Sequence, residues 1–525
     1  MKKKLFVAGL IMIMALSMFS CGSSDSGESS GESSGGNVDT FIVRSIGDPA
    51  SFNPDGAADD NLFPIAQNMY RRLVGLDTTK GNVVAEAAKE WSYNEDATEL
   101  TFTLRDDLVW SDGEPLTSED VKYTFEAIAE NPLATFSANM AVVSSIETPD
   151  DYTVVFKLTQ PDMSFLNLLG WYGTFILPEH VWNNGEAWED NAATENPVTC
   201  GPFKLDSHES GESVTLVADE NYPDGSTVSK LIFSIIPDEA TAVQALQNGE
   251  IDFMENLPAA YYEDMKADEN INIFLNEYPS PIKMVFNFEN EDLAKQEVRT
   301  AIAKAIDRDE ISEKVFSGIQ GPEYNMYPSS IEWASNSDAP APSMDVEGAR
   351  ALLEEAGYTE DADGYYIRGL ELSVFEGSGY PDSANLLKAQ LEAIGIEVTV
   401  QVSEYNAWES KVTVNRDFDI TLIGGFMGPD PSGMASRICT GQASNVGSYS
   451  NAEVDELMAK GKEGPTQEDS TEYYKEAQAI IAEELPYVPI VEFVGPDAYG
   501  SQYENMPSDG AGKWGWADYS HVTMK

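Results

Sequence analysis

Leu104-Arg105-Asp106-Asp107-Leu108-Val109-Trp110-Ser111-Asp112-Gly113-Glu114-Pro115-Leu116-Thr117-Ser118-Glu119-Asp120-Val121 is the run that decides the fold. It reads in three pieces. Leu104 closes a segment in which Leu100, Phe102 and Leu104 alternate with Thr101, Thr103 and Arg105, the period of a strand buried on one face. Asp112–Gly113 is turn chemistry, because Asp bonds its own following backbone and Gly adopts left-handed angles without a Cβ clash. Thr117 with Asp120 three residues on reads as a capping box, Asp standing in for Glu. A helix follows, with Val121, Phe125 and Ile128 on one face, and Trp110 beside the turn is expected to pack. Val154, Phe156 and Leu158 then repeat the alternating pattern of a half-buried strand.

Further along the chain, helix, glycine stop and strand recur as a unit. Ala240 to Asn248 ends at Gly249 before Ile251–Asp252–Phe253, and Asp345 to Ala356 ends at Gly357. Ser383 to Ile394 ends at Gly395, and Ile396, Val398 and Val400 alternate after it. Glycine in the left-handed conformation is the usual helix stop, and strands alternating with helices of this length indicate an α/β protein. Val298, Ala301, Ile302 and Ala305 mark a further helix, and Thr466 to Leu485 another that Pro486 ends.

Composition excludes whole function classes. The 525 residues carry 31 Lys+Arg against 90 Asp+Glu, a net charge of −59. Phosphate-backbone binding needs clustered bases, so nucleic acid is excluded as a partner, and so is adsorption of the folded body to an anionic membrane. With 42% apolar residues the chain has ample material for large cores. Three Cys exclude a disulfide scaffold, and three His far apart in sequence (His180, His208, His521) argue against a His-built metal site.

The start of the chain is a targeting segment. Lys2, Lys3 and Lys4 precede an apolar run from Leu5 to about Phe19, shorter than the ~20 residues that span a membrane. Residues 1–20 are therefore expected to be a signal peptide. Gly22 to Gly36 holds seven Ser, five Gly and three acids, a flexible tether that reaches ~20 Å at roughly 5–6 Å × √n.

Several motifs do not survive their context. Gly27-Glu28-Ser29-Ser30-Gly31 and Gly31-Glu32-Ser33-Ser34-Gly35 match G-x-S-x-G, but a nucleophile elbow needs a strand and a helix around it, and this is a Ser/Gly repeat. Asp361-x-Asp363-Gly364 lacks the acid that would close a calcium loop, Leu370 standing there, and reads as a turn. Gly377-Ser378-Gly379 lacks the third glycine of a dinucleotide loop, and no phosphate-binding GxxxxGK[ST] occurs. No catalytic set, cofactor site or metal site is expected, and the chain reads as a non-enzyme.

From about Ser51 to Pro507 the chain resembles the family 5 extracellular solute-binding proteins that serve peptide- and nickel-type ABC importers. The run Leu104–Val121 is close to that family's most specific signature. Ser51-Phe52-Asn53-Pro54, Thr199-Cys200-Gly201-Pro202-Phe203, Ala245-Leu246-Gln247-Asn248-Gly249-Glu250-Ile251-Asp252, Val298–Arg299 with Ala305-Ile306-Asp307-Arg308, and Gly447-x-Tyr449-x-Asn451 resemble further family segments. Ala15 to Cys21 resembles a lipoprotein signal, which implies that Cys21 becomes the first residue and carries lipid; residues 21–37 are then the lipidated Cys and its linker.

The resemblance implies a two-lobe periplasmic-binding-protein fold of type II, with discontinuous lobes, hinge strands and an inserted subdomain. The expected division is 38–85, 190–285 and 492–525 for lobe I, 86–189 for the insert, and 286–491 for lobe II. It implies ligand in the cleft, and the ligand-facing set expected from it is Trp408, Tyr405, Phe426, Met427, Asp430, Asn61, Asp60 and Cys200. In peptide binders of the family an Asp three residues before a D-P pair clamps the ligand ammonium. Here the pair is Asp430–Pro431 and the clamp position is the neutral Met427, with Asp430 either its substitute or a turn residue. The expected function is capture of peptides for a membrane ABC permease by a monomer tied to the outer face of the membrane through lipid only. A sugar-binding member of the family, or a ligand sensor for a membrane receptor, is the alternative.

Overall fold

The computed structural model describes residues 36–76, 82–171, 173–377, 379–425, 427–428, 430–464, 467–507 and 517–525. The leader, the tether with Cys21, and Phe426 lie outside the described residues.

A ten-stranded sheet runs through the body. Its order is Ile396–Ser403, Ile367–Phe375, Ile420–Ile423, Ile271–Phe286, Tyr487–Gly500, Phe253–Met254, Phe41–Ser45, Lys230–Ile235, Ser213–Ala218 and Phe203–Glu209. The two central strands are the longest and pair antiparallel along nearly their whole length. Chain segments at one end of them form lobe I and at the other lobe II, so each lobe is discontinuous. Register slips between Glu277 and Pro281, and again between Ile282 and Lys283. A proline there lacks the N–H a ladder needs, and bulged strands bend more easily than paired ones.

The signature run folds as its local physics demands. Leu100, Phe102 and Leu104 are buried on the strand Glu99–Leu104, and the run leads through the turn at Gly113 into the helix Ser118–Glu130. Thr117 N donates to Asp120 Oδ2 at 2.8 Å, the return bond of the capping box. Trp110 packs fully buried, and its Nε1 also donates to Asp120 at 3.4 Å. Val121, Phe125 and Ile128 bury against a four-stranded antiparallel sheet ordered Ala88–Tyr93, Glu99–Leu104, Thr153–Leu158, Val143–Asp150. This subdomain has its own core around Phe102, Trp110, Phe125 and Phe156. Other cores form around Phe41, Phe63 and Tyr519, and around Met284, Ile302, Leu372 and Leu387.

The helix–glycine grammar holds with one difference. The helices are Glu239–Asn248, Val346–Glu355 and Tyr380–Ala393, and Gly249, Gly357 and Gly395 all have positive φ. After Gly357, however, the strand Ile367–Phe375 starts only after the Asp361 turn. That turn is closed by Arg368, whose Nε lies 2.5 Å from Asp361 and whose Nη2 lies 2.7 Å from Asp363. The guanidinium thus takes the two carboxylates that resemble calcium ligands.

Candidate ligand-binding site

In lobe II the strands Ile367–Phe375, Ile396–Ser403 and Ile420–Ile423 run parallel to one another. Ligands of open α/β sheets bind outside the carboxyl ends of such strands, where the following loops diverge. An open recess of about 240 Å³ lies there, walled by Tyr405, Trp408, Ile423, Gly424, Val446 and Tyr487 among others. Tyr405 and Trp408 follow the strand Ile396–Ser403 on the short helix Tyr405–Glu409, which Glu404 caps through Asn406 N and Ala407 N. The loop at Gly424 is held close over the recess: a Cβ at this position would collide with the Tyr380 hydroxyl.

The two aromatics differ in role. Tyr405 is 49% exposed and offers its ring to the recess. Trp408 is buried, packs with its ring tilted against Phe375 at a centroid distance of 4.8 Å, and donates from Nε1 to Thr421 Oγ1 at 3.1 Å. It is both core of the lobe and wall of the recess, because the hydrogen bond fixes one edge of the indole and leaves another to the cavity.

Met427 does not line the recess: it is only 2% exposed and lies behind Lys283, whose Nζ sits 3.0 Å from its sulfur. Lys283 and Arg437 do line the recess, and neither is among the residues expected from the sequence. The available signal was a lysine inside the apolar strand segment Ile282-Lys283-Met284, which a strand buried on both faces does not ordinarily hold.

The remaining expected residues lie elsewhere. Asp430 is 3% exposed and fully engaged: it accepts from Asn167 Nδ2 at 2.7 Å, Ser432 N at 2.8 Å and Tyr474 OH at 3.2 Å. The Ser432 bond is the Asx turn expected of Asp before Pro. The Asn167 bond ties the Asp430 turn to the helix Ser164–Leu169, which packs in the core of the four-stranded subdomain, together with Lys462 to Asp162 at 3.0 Å. Burial pushes the Asp430 carboxyl up, against the hydrogen bonds that hold it down. Asn61 borders a different, larger recess of about 810 Å³ in lobe I with Ser51, Asn53, Asp59 and Trp188, and Asp60 is exposed beside it. Cys200 is a core residue, 1% exposed, whose thiol burial pushes up to about 12; it offers no surface to a ligand in this structure. Cys200 and Cys439 are both free and buried.

A family model described as bacterial extracellular solute-binding proteins, family 5 middle, matches residues 82–445. The chain belongs to this family. A relative, the oligopeptide-binding protein AppA of Bacillus subtilis, is 28% identical over 507 residues, covering 93% of this chain and 92% of that protein. The solved structure of the ABC transporter substrate-binding protein CtaP of Listeria monocytogenes superposes with a TM-score of 0.83 at 26% identity, covering 93% of this chain and 99% of that one. The AppA structure from Bacillus subtilis, in complex with a nonapeptide, has a TM-score of 0.68 at 27% identity over 90% of this chain and 96% of that one. This family 5 protein therefore has the expected two-lobe fold, and its role is solute binding.

Proposed function

We propose that this protein captures peptides between its two lobes and delivers them unchanged to a membrane ABC permease. The observation that carries the reading is the near end-to-end likeness to AppA, a protein solved with a nonapeptide, coupled with an open recess at the strand ends of lobe II. In this reading Tyr405 and Trp408 meet the ligand, and the lobes are 38–85, 190–285 and 492–525 against 286–491, with 86–189 inserted. Closure is a bend of the strands Ile271–Phe286 and Tyr487–Gly500 at their register slip. Mass spectrometry of ligand released from the purified protein should find intact peptides. Small-angle scattering should find a smaller radius of gyration once peptide is restored. A carbohydrate in the released fraction would move the protein to the sugar-binding reading, and chemically altered ligand would make it an enzyme.

In the same reading the protein acts as a monomer held to the outer membrane face by lipid on Cys21, an anchor supported by the apolar leader before it and the Ser/Gly tether after it. Cys21→Ala should release the protein to the medium or leave its leader uncleaved. A variant that still fractionates with membranes like the parent would refute the anchor.

A further inference from the structure

The helix Ser164–Leu169, packed in the core of the four-stranded subdomain, meets two elements far away in the chain. Asn167 donates from Nδ2 to Asp430 Oδ2 at 2.7 Å. Asp162, just before the helix, lies 3.0 Å from the ammonium of Lys462 on the helix Ala452–Glu463. Met163 N donates to the Lys462 carbonyl at 3.0 Å, so one backbone bond crosses the contact as well. Apolar groups add to it: Leu76 is buried in the core around Met284 and Leu372, and Val83 and Trp171 pack against that core.

Both grips are pre-set by their own neighbours. Asp162 is 2% exposed, and its Oδ1 takes Ser164 Oγ at 2.6 Å and Phe165 N at 3.2 Å, which leaves Oδ2 to Lys462. Asp430 takes Ser432 N and Tyr474 OH through Oδ1, which leaves Oδ2 to Asn167. The Lys462 side chain stays largely in water, so its charge reaches Asp162 without full desolvation. The contact is not sealed. A cavity of about 240 Å³ remains in it, lined by Trp91, Met163 and Leu166 on one side and by Trp333, Asp430 and Ser470 on the other. Trp333 Nε1 and Ser470 Oγ are buried and have no hydrogen-bond partner among the described residues. Surfaces joined for good during folding pair nearly all such groups, whereas domain surfaces that part are polar and less closely packed.

We infer that Asp162 and Asn167, gripping Lys462 and Asp430, form a releasable clasp that holds the subdomain against lobe II and so keeps the lobes around a captured ligand. The inference rests on the proposed two-lobe division and deepens the peptide reading. The four residues are positioning residues, acting through the lobes rather than on the ligand. Separating the lobes breaks the links, and making them favours the closed arrangement to the same extent. The clasp therefore acts on release more than on capture, because ligand enters before it forms and leaves only after it opens.

The test uses the purified protein freed of bound ligand, with a random pentapeptide pool as probe. Two quantities are read: hydrogen exchange at the Met163 amide, with and without peptide, and the rates of peptide uptake and release followed by mass spectrometry. In Asn167→Ala with Lys462→Gln, Met163 exchange and peptide release should both quicken on the order of tenfold, the factor expected of two lost links, with uptake unchanged. Lys462→Arg keeps a cation for Asp162 and should stay within twofold of the parent. Asn167→Ala alone leaves Asp430 its other two donors, and should shift both quantities the same way by a smaller factor if the double variant does not fold. Unchanged Met163 exchange in a variant that melts like the parent would overturn the clasp, and quicker exchange with unchanged release would overturn its part in holding ligand. If the wild type retains no peptide, the peptide reading falls, and the clasp is then decided by exchange alone: quicker in the variant supports it, equal overturns it.

Discussion

Asp120→Ala should lower the stability of the folded body by about 3 kcal/mol, from a lost cap and from the buried Trp110 N–H and the part-buried Glu179 N–H left without an acceptor. The carboxylate serves four donors on three elements. Oδ2 takes Thr117 N at 2.8 Å, Thr117 Oγ1 at 3.3 Å and Trp110 Nε1 at 3.4 Å; Oδ1 takes Glu179 N at 2.8 Å. The last bond starts the short helix Glu179–Trp182, so one side chain caps two helices and pins the indole between them. Burial pushes the Asp120 carboxyl up, outweighing all of these bonds, so its value lies in where its oxygens point more than in its charge. Asp120→Asn, which keeps a single oxygen, should fall about midway. Urea unfolding followed through tryptophan fluorescence measures both. An Asp120→Ala midpoint equal to the parent's would show that water replaces the lost acceptor.

Asp120 also marks how far the sequence could be read. The capping box and the packed tryptophan were legible, because both partners lie within ten residues and turn, cap and helix chemistry is local. The bond to Glu179 was not, because it closes 59 residues of chain. The same divide runs through the recess. Tyr405 and Trp408 were legible as aromatics in a loop after an alternating strand. Lys283 and Arg437 were not, since the strand and the helix that bring them to one recess meet only in the fold. Met427 is neutral at the clamp position, and the structure sets the Lys283 amine against its sulfur, where burial pushes the amine's pKa down. Asp430 before Pro431 reads as turn or clamp; the Ser432 bond shows the turn, while the tie to Asn167, 263 residues away, has no local signal. Cys200 sits in a motif that marks the fold, and its side chain packs in the core of the four-stranded subdomain.

The protein should lose stability as pH rises from about 5 to about 9, and Glu492→Gln should remove much of that loss. Glu492 lies buried on the strand Tyr487–Gly500, opposite Pro281 where the central pairing slips. Burial first, and the Glu323 carboxylate beside it second, push its carboxyl up to about 8. It takes hydroxyl donors, Ser329 Oγ at 3.0 Å and Ser330 Oγ at 2.5 Å. The backbone N–H groups of Tyr324, Asn325 and Ser329 all go to Glu323. A second buried acid on the same strand, Asp497, is raised by burial and by Glu255.

The sign follows from linkage. An acid with a folded pKa above its unfolded value of about 4.3 binds its proton more tightly in the fold. The stabilisation is whole below about pH 4 and declines as pH climbs through the folded value, where Glu492 must ionise in apolar surroundings. The loss is on the order of a few kcal/mol. Exposed acids such as Asp107 and Asp361 are shifted down by their arginine partners, so their contributions change at lower pH and do not mask this one. Gln at position 492 keeps an oxygen for Ser330 and offers an amide N–H toward Glu323, without a charge to bury. The melting temperature of Glu492→Gln should therefore match the wild type near pH 5 and exceed it by several degrees near pH 9. A difference that does not grow with pH would mean that solvent reaches Glu492 and that its proton is not what the fold retains.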